Sequence, residues 1–204
     1  MHGLHIISTG KQTKDEFIEK VKKIYSHVDY IHLRERNWTA KDHIFVIEQL
    51  VADGVPQEKI IINDRVDIAV TQSVGGVQLT SHSIDVGDVK KFFPSLHIGC
   101  SVHSVEEALE KEERGADFLI YGHIFETSSK MGLAPRGLKS LHKITSSVKL
   151  PVIAIGGITP NNLPSVLREG ACGIAVLSGI LLKKDTISAA LKYREKLDGK
   201  RWSG

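Results

Sequence analysis

Between Tyr121 and Lys130 the chain reads YGHIFETSSK, a histidine, a carboxylate and three hydroxyls at the end of the apolar run Asp117-Phe118-Leu119-Ile120. A neutral imidazole takes up and returns a proton near pH 7, so His123 is the candidate acid-base group. Glu126, three positions on, either orients that imidazole or faces solvent. Two later runs repeat the design: PVIAIGGIT ends on Gly156-Gly157, and GIAVLSGIL ends on Leu177-Ser178-Gly179. Small residues after a strand expose backbone N–H groups, which suit an anion such as a phosphate. If the three strands are parallel, His123 and both anion-binding loops share one rim.

Positioning these groups requires a scaffold of alternating strands and helices, and the chain reads that way without a break. Strand candidates begin at Leu4, Tyr30, Lys59, Gly76, His97, Asp117, Pro151 and Gly173. Helical patterns span 14–25, 39–53, 66–72, 86–93, 104–114, 138–146, 160–169 and 186–197. Ser104 and Thr159-Pro160 mark helix starts, while Gly115 and Gly170 fall just past helix ends. In the last helix Ile187, Ala190, Leu191 and Leu197 recur at helical spacing and are expected to face a sheet. Eight such units in 204 residues, about 25 residues each, predict a single-domain α/β chain over 1–204, a (β/α)8 TIM barrel. An open doubly wound sheet is disfavoured because GxGxxG is absent after the first strand.

Composition narrows the function classes. With 41% hydrophobic and 25% charged residues the chain can bury a full core. Its net charge of +3 is dispersed, so a nucleic-acid partner is not expected, whereas a small anionic ligand is compatible. Neither a membrane span nor a leader peptide is read, and the expected location is cytoplasmic. Cys100 and Cys172 lack metal-ligand spacing and are expected to be buried free thiols. Oligomeric state is left open, with a homo-oligomer compatible.

Strand parity places more groups at the rim. From Tyr30 to Arg36, alternation puts His32, Arg34 and Arg36 on one face, and charge near a barrel strand's end points to an anionic ligand. Asn63-Asp64-Arg65 closes the third strand, as a ligand group or simply as a turn and helix cap. His2, His27, His43, His97 and His142 are read as ordinary surface or packing residues; His103 is an outlying rim candidate and His5 is left undecided.

In combination, IHLRER, INDRVDIA, GCSVHSVEEA, GHIFETSSK, AIGGIT and AVLSGI resemble the motifs of the thiamin-phosphate synthase superfamily over most of the chain. The resemblance implies a thiazole phosphate site at Thr127, Ser129, Gly156, Gly157, Leu177 and Ser178, and a pyrimidine diphosphate site near Arg34, Arg36, Asn63, Ser101 and Lys130. Three departures stand out. Ser83 occupies the place of a second Mg2+ carboxylate beside Asp64, His32 replaces a glutamine, and His123 and Glu126 replace two prolines.

Together these departures are similar to the TenI-type thiazole tautomerases, a sister branch. That likeness implies an isomerase that aromatises a carboxylated thiazole phosphate, with His123 as proton shuttle and Arg34 or Lys130 toward the substrate carboxylate. Such a reaction calls for no cofactor, and no resident metal is expected. The alternatives are a thiamin-phosphate synthase and a non-catalytic thiazole phosphate-binding regulator.

Overall fold

Local sequence stops and starts the elements before any packing is considered. Thr13 and Glu16 form a reciprocal capping box at the start of α1 (Lys14–Ile24), and Thr39 and Asp42 form another on α2 (Ala40–Ala52). Ser104 accepts a hydrogen bond from the Glu107 N–H and opens α5 (Val105–Glu113), which follows α3 (Val66–Thr71) and α4 (Val86–Phe92). The remaining helices are α6 (Gly137–Ser147), α7 (Leu163–Arg168), α8 (Ser178–Leu181) and α9 (Thr186–Asp198). Between them run β1 (Gly3–Ile7), β2 (Tyr30–Leu33), β3 (Ile60–Asn63), β4 (Gly76–Leu79), β5 (Ile98–Val102), β6 (Phe118–Gly122), β7 (Val152–Ile155) and β8 (Gly173–Val176).

In the computed structural model, which describes residues 1–199, these strands form a closed parallel barrel in sequential order. Closure is made by β1 against β8, with Gly3 opposite Gly173 and His5 opposite Ala175. The fold is the expected (β/α)8 barrel. Residues 200–204 of the expected domain lie outside the described residues.

Side-chain alternation divides the strands into two faces. Leu4, Ile6, Ile31, Leu33, Ile60, Ile62, Val77, Leu119, Val152 and Ile174 belong to the large core beneath the helices. Ile7, Phe118, Ile120, Ile153 and Ala175 form a separate small cluster inside the barrel. His5, His32 and Gln78 share that interior and are fully or almost fully buried. His5 Nδ1 and His32 Nε2 lie 3.0 Å apart, so one imidazole donates to the other.

Three expectations change here. His32 does share a parity face with Arg34, but that face turns into the barrel, so His32 is buried while Arg36, beyond the strand, is exposed. On α9 the buried residues are Thr186, Ala190, Tyr193 and Leu197, whereas Ile187 and Leu191 are 40% and 44% exposed. Ala190 and Leu197 face inward as expected, while Thr186 and Tyr193 take the places of Ile187 and Leu191, the Tyr193 hydroxyl reaching Ile158 O. Cys100 is buried as expected, but Cys172 is exposed, since it lies just before β8 at the lower rim rather than within the strand.

Candidate active site

The loops after the C-terminal strand ends enclose a cavity of about 1330 Å³. Its lining brings together Arg34, Asn63, Ser101, His123, Thr127, Ser129, Lys130, Gly156, Gly157, Leu177 and Ser178, residues contributed by six different strand ends. Asp64, Glu126, His103, Trp38 and His43 line it as well.

One side of the mouth, after β7 and β8, is built from backbone. Gly156 and Gly157 have φ of +98° and +66°, a left-handed conformation that glycine adopts without a Cβ penalty. A side chain on Gly157 would also strike the carbonyl oxygens of Phe125 and Glu126. The loop is therefore pressed against the segment after β6, and Gly157→Val would displace that segment whether or not a phosphate binds. Asn162 holds the turn from outside: its Oδ1 accepts the Thr159 N–H at 2.8 Å and its Nδ2 donates to Gly157 O at 3.0 Å. The buried Tyr193 Oη donates to Ile158 O at 2.9 Å. Next to this loop Ser178 begins α8, whose first N–H groups have no intrahelical acceptor. Sequence reasoning gave Asn162 and Tyr193 no place at the site, because neither belongs to a strand end.

The opposite side is cationic. Arg34 is held at its backbone, its N–H donating to Ser8 Oγ at 2.8 Å, and its guanidinium is half-buried. Burial, and then the nearby Arg36, push its pKa down, while Glu35 and Asp64 pull it up; guanidinium stays charged throughout. Lys130 sits on the single helical turn Ser128–Lys130, started by Thr127 Oγ1 accepting from the Ser129 N–H. Between the two sides, at the barrel floor, Gln78 Nε2 donates to Ser101 Oγ at 3.0 Å. Asp64, with φ of +66°, is met by the Ser83 hydroxyl and, at 3.4 Å, by Thr80 Oγ1.

His123 is tied to its own loop. Its Nε2 lies 3.1 Å from Leu133 O, and a carbonyl only accepts, so Nε2 carries the proton and donates. No hydrogen bond joins Glu126 to the ring, so the orienting group is Leu133 O, not that carboxylate. The loop is closed at its base by Arg136, whose N–H donates to His123 O at 2.9 Å and whose guanidinium donates to Gly122 O and His103 O. This clamp was not legible in the sequence, where Arg136 lies in a stretch without periodicity.

Against known proteins, residues 4–180 match the TMP-TENI family, described as thiamine monophosphate synthase. A thiamine-phosphate synthase of Pyrococcus furiosus is 43% identical over 134 residues, 66% of this chain and 65% of that one, so the aligned part spans just under two thirds of that relative. The thiamine-phosphate synthase of Desulfitobacterium hafniense strain Y51 is 37% identical over 183 residues, 87% of each chain. Among solved structures, a thiamine phosphate pyrophosphorylase from Pyrococcus furiosus superposes with a TM-score of 0.84 at 32% identity, covering 97% of this chain and 96% of its own. These relatives overturn the tautomerase and isomerase expectation: they are named as synthases, a transferase activity. The likeness to the sister branch rested on departures at positions 32, 83, 123 and 126, and three of the four now have structural partners, in His5, Asp64 and Leu133 O. Matched over most of its length and folded alike, the chain belongs to the thiamine monophosphate synthase family.

Proposed function

We propose that the protein is a thiamine-phosphate synthase, which joins a thiazole phosphate to a pyrimidine diphosphate and releases diphosphate. The observation that carries this reading is one cavity with two anion-binding sides: the Gly156-Gly157 and Leu177-Ser178 loops on one, Arg34, Arg36 and Lys130 on the other. A site for a single phosphate would need only the first. In the reaction the thiazole ring nitrogen forms a bond to the pyrimidine's methylene carbon while the bond from that carbon to the diphosphate oxygen breaks. The electron pair leaves with the diphosphate.

Charge therefore develops at the leaving oxygens. Arg34, whose backbone is anchored on Ser8, and Lys130, on the turn after Thr127, are the cations at this side that meet it. Thr127 and Ser129 offer hydroxyls to the thiazole phosphate beside the backbone loops. His123, donating to Leu133 O, shapes the loop that carries those hydroxyls rather than moving a proton of the reaction.

The resemblance implies Mg2+, and the donor set fits it in a reduced form. Among the described residues no group of three or more His, Cys, Asp or Glu could hold a metal ion. Asp64, with the Ser83 and Thr80 hydroxyls, supplies one carboxylate, which suffices for an ion that takes its other ligands from substrate phosphate and water. When bound there, Mg2+ would neutralise charge on the diphosphate.

A cytoplasmic location accords with the reading, since two unpaired cysteines persist in a reducing compartment. Among the described residues no helix is long and apolar enough to cross a membrane. The test is incubation of the purified protein with thiazole phosphate, pyrimidine diphosphate and Mg2+, following thiamine phosphate after oxidation to its fluorescent derivative and diphosphate by a coupled assay. Equimolar release of both products is expected. Binding of both substrates without either product would make the protein a sensor and overturn the reading.

A further inference from the structure

Outside the barrel, behind the loop 123–136 and between the starts of α5 and α6, lies a second cavity of about 570 Å³. Neither substrate of the proposed reaction requires it. Its wall shares His103, Gly122, His123 and Lys130 with the main cavity, so one loop separates the two. The buried Tyr121 and Ile144 form an apolar floor.

Charge on this wall has one sign. Lys130, Arg136 and Lys143 line it, and no aspartate or glutamate does. Glu107 is already taken up by His103, accepting from its N–H at 2.7 Å and lying 3.4 Å from its ring. Lys130 and Lys143 have no ion-pair partner among the described residues. In a chain with 27 lysines and arginines against 24 acidic residues, three cations in one concave wall without a carboxylate form a local excess that attracts an anion.

The donors are also placed in advance. Arg136 is fixed by Nε donating to Gly122 O at 3.0 Å and Nη1 donating to His103 O at 2.8 Å, with its Cζ 6.0 Å from the centre of the Tyr121 ring. Its Nη2 remains available to a ligand. On α6, Ser140 and Lys143 stand three positions apart on one face, and the half-buried Ser140 hydroxyl has no partner among the described residues.

We infer that this groove binds a small phosphate monoester, its dianion among Arg136, Lys143 and Ser140 and its carbon body against Tyr121 and Ile144. Lys130 borders both cavities, and one ammonium cannot serve two phosphates at full strength. An occupant of the groove therefore draws Lys130 away from the leaving diphosphate and slows turnover. Binding in the groove is independent of the synthase reading, and the slowing rests on it.

The probe is phenyl phosphate, titrated calorimetrically into the full chain and added to the synthase assay with both substrates saturating. The wild type should bind two molecules, one in each cavity, and kcat should fall saturably. Lys143→Glu, at a residue that lines only the outer groove, should weaken one of the two sites about ten-fold or more, the scale of a lost charge-assisted hydrogen bond, and lift the inhibition. Without phenyl phosphate its kcat and both KM values should match the wild type, which checks the fold. Ser140→Ala should weaken the same site several-fold. One bound molecule in the wild type, or two that Lys143→Glu leaves unaltered, overturns the inference, as does a kcat that phenyl phosphate does not lower. If no thiamine phosphate forms while two molecules bind and Lys143→Glu weakens one of them, the synthase reading fails and the groove stands.

Discussion

Ser83 shows how a departure from a family pattern is absorbed by its neighbours. The hydroxyl reaches the Asp64 carboxylate and also accepts the Thr80 N–H at 2.6 Å, so the turn after β4 stays packed on the end of β3 without a second carboxylate. Removing one of two acidic ligands weakens a Mg2+ site without abolishing it, because substrate oxygens supply part of the coordination. Ser83→Asp should therefore lower the Mg2+ concentration needed for half-maximal turnover by about ten-fold, in line with adding one charged ligand. Calorimetric titration of Mn2+ in the presence of pyrophosphate checks this without relying on turnover. Equal Mn2+ affinity in wild type and variant would place the ion away from Asp64.

The loop after β7 is an element held by others. Its two left-handed glycines leave it without side chains of its own, and Asn162 and Tyr193 take over the anchoring from α7 and α9. Tyr193 comes from the sequence-distant α9, 35 positions from its acceptor at Ile158. Tyr193→Phe leaves the buried Ile158 carbonyl unpaired, at a cost of about 1 to 3 kcal/mol of stability. A released loop should also hold phosphate less firmly, so KM for thiazole phosphate should rise several-fold while KM for the pyrimidine diphosphate stays put. Denaturant unfolding and steady-state kinetics on one preparation test both halves. A change in stability with neither KM altered would show that the loop keeps its shape without the tyrosine.

For the barrel as a whole, two charge effects follow. Inside it, burial pushes the His32 pKa down to about 3, and burial followed by His32 drives that of His5 well below its ordinary value. Folded-state values below the unfolded value of about 6.5 mean that the unfolded chain binds more protons in the acid range, so stability is fully present above that pH and is lost as pH falls. Each histidine kept neutral costs about 1.4 kcal/mol per pH unit below that point. The melting temperature should drop steeply from neutral pH to about pH 5, and His32→Gln should flatten the slope. A slope unchanged in the variant would assign acid lability to other groups. At the mouth, seven Lys and Arg side chains face four Asp and Glu. Lys183 and Lys184 have no ion-pair partner among the described residues. A cleft of this sign draws in anions, so kcat/KM should fall with added salt. Exchanging both lysines for glutamate should lower kcat/KM several-fold at low salt and have no effect near 1 M salt, where the screening length is about 3 Å.

The sequence by itself determined the order of the eight strands, the barrel and the residues that end its strands, though not the short α8 (Ser178–Leu181). All of these are local: period-two runs, caps such as Ser104, and the Gly-Gly and Ser-Gly pairs lie within a few positions of what they control. One boundary slipped at Thr159-Pro160, where the helix waits until Leu163 because Asn162 takes the Thr159 N–H. What a residue does once placed was decided by tertiary structure. His32 turned inward to His5, 27 positions away, and Arg136 closed the loop around His123 by reaching back to Gly122 and across to His103, 33 positions away. Trp38 and His43 reached the cavity by packing against each other and, through Trp38, against Phe17. The expected isomerase was overturned by the relatives, which are named as synthases. Serine at position 83 and histidine at 123 each departed from a familiar pattern, and only folding shows that Asp64 and Leu133 O are their partners.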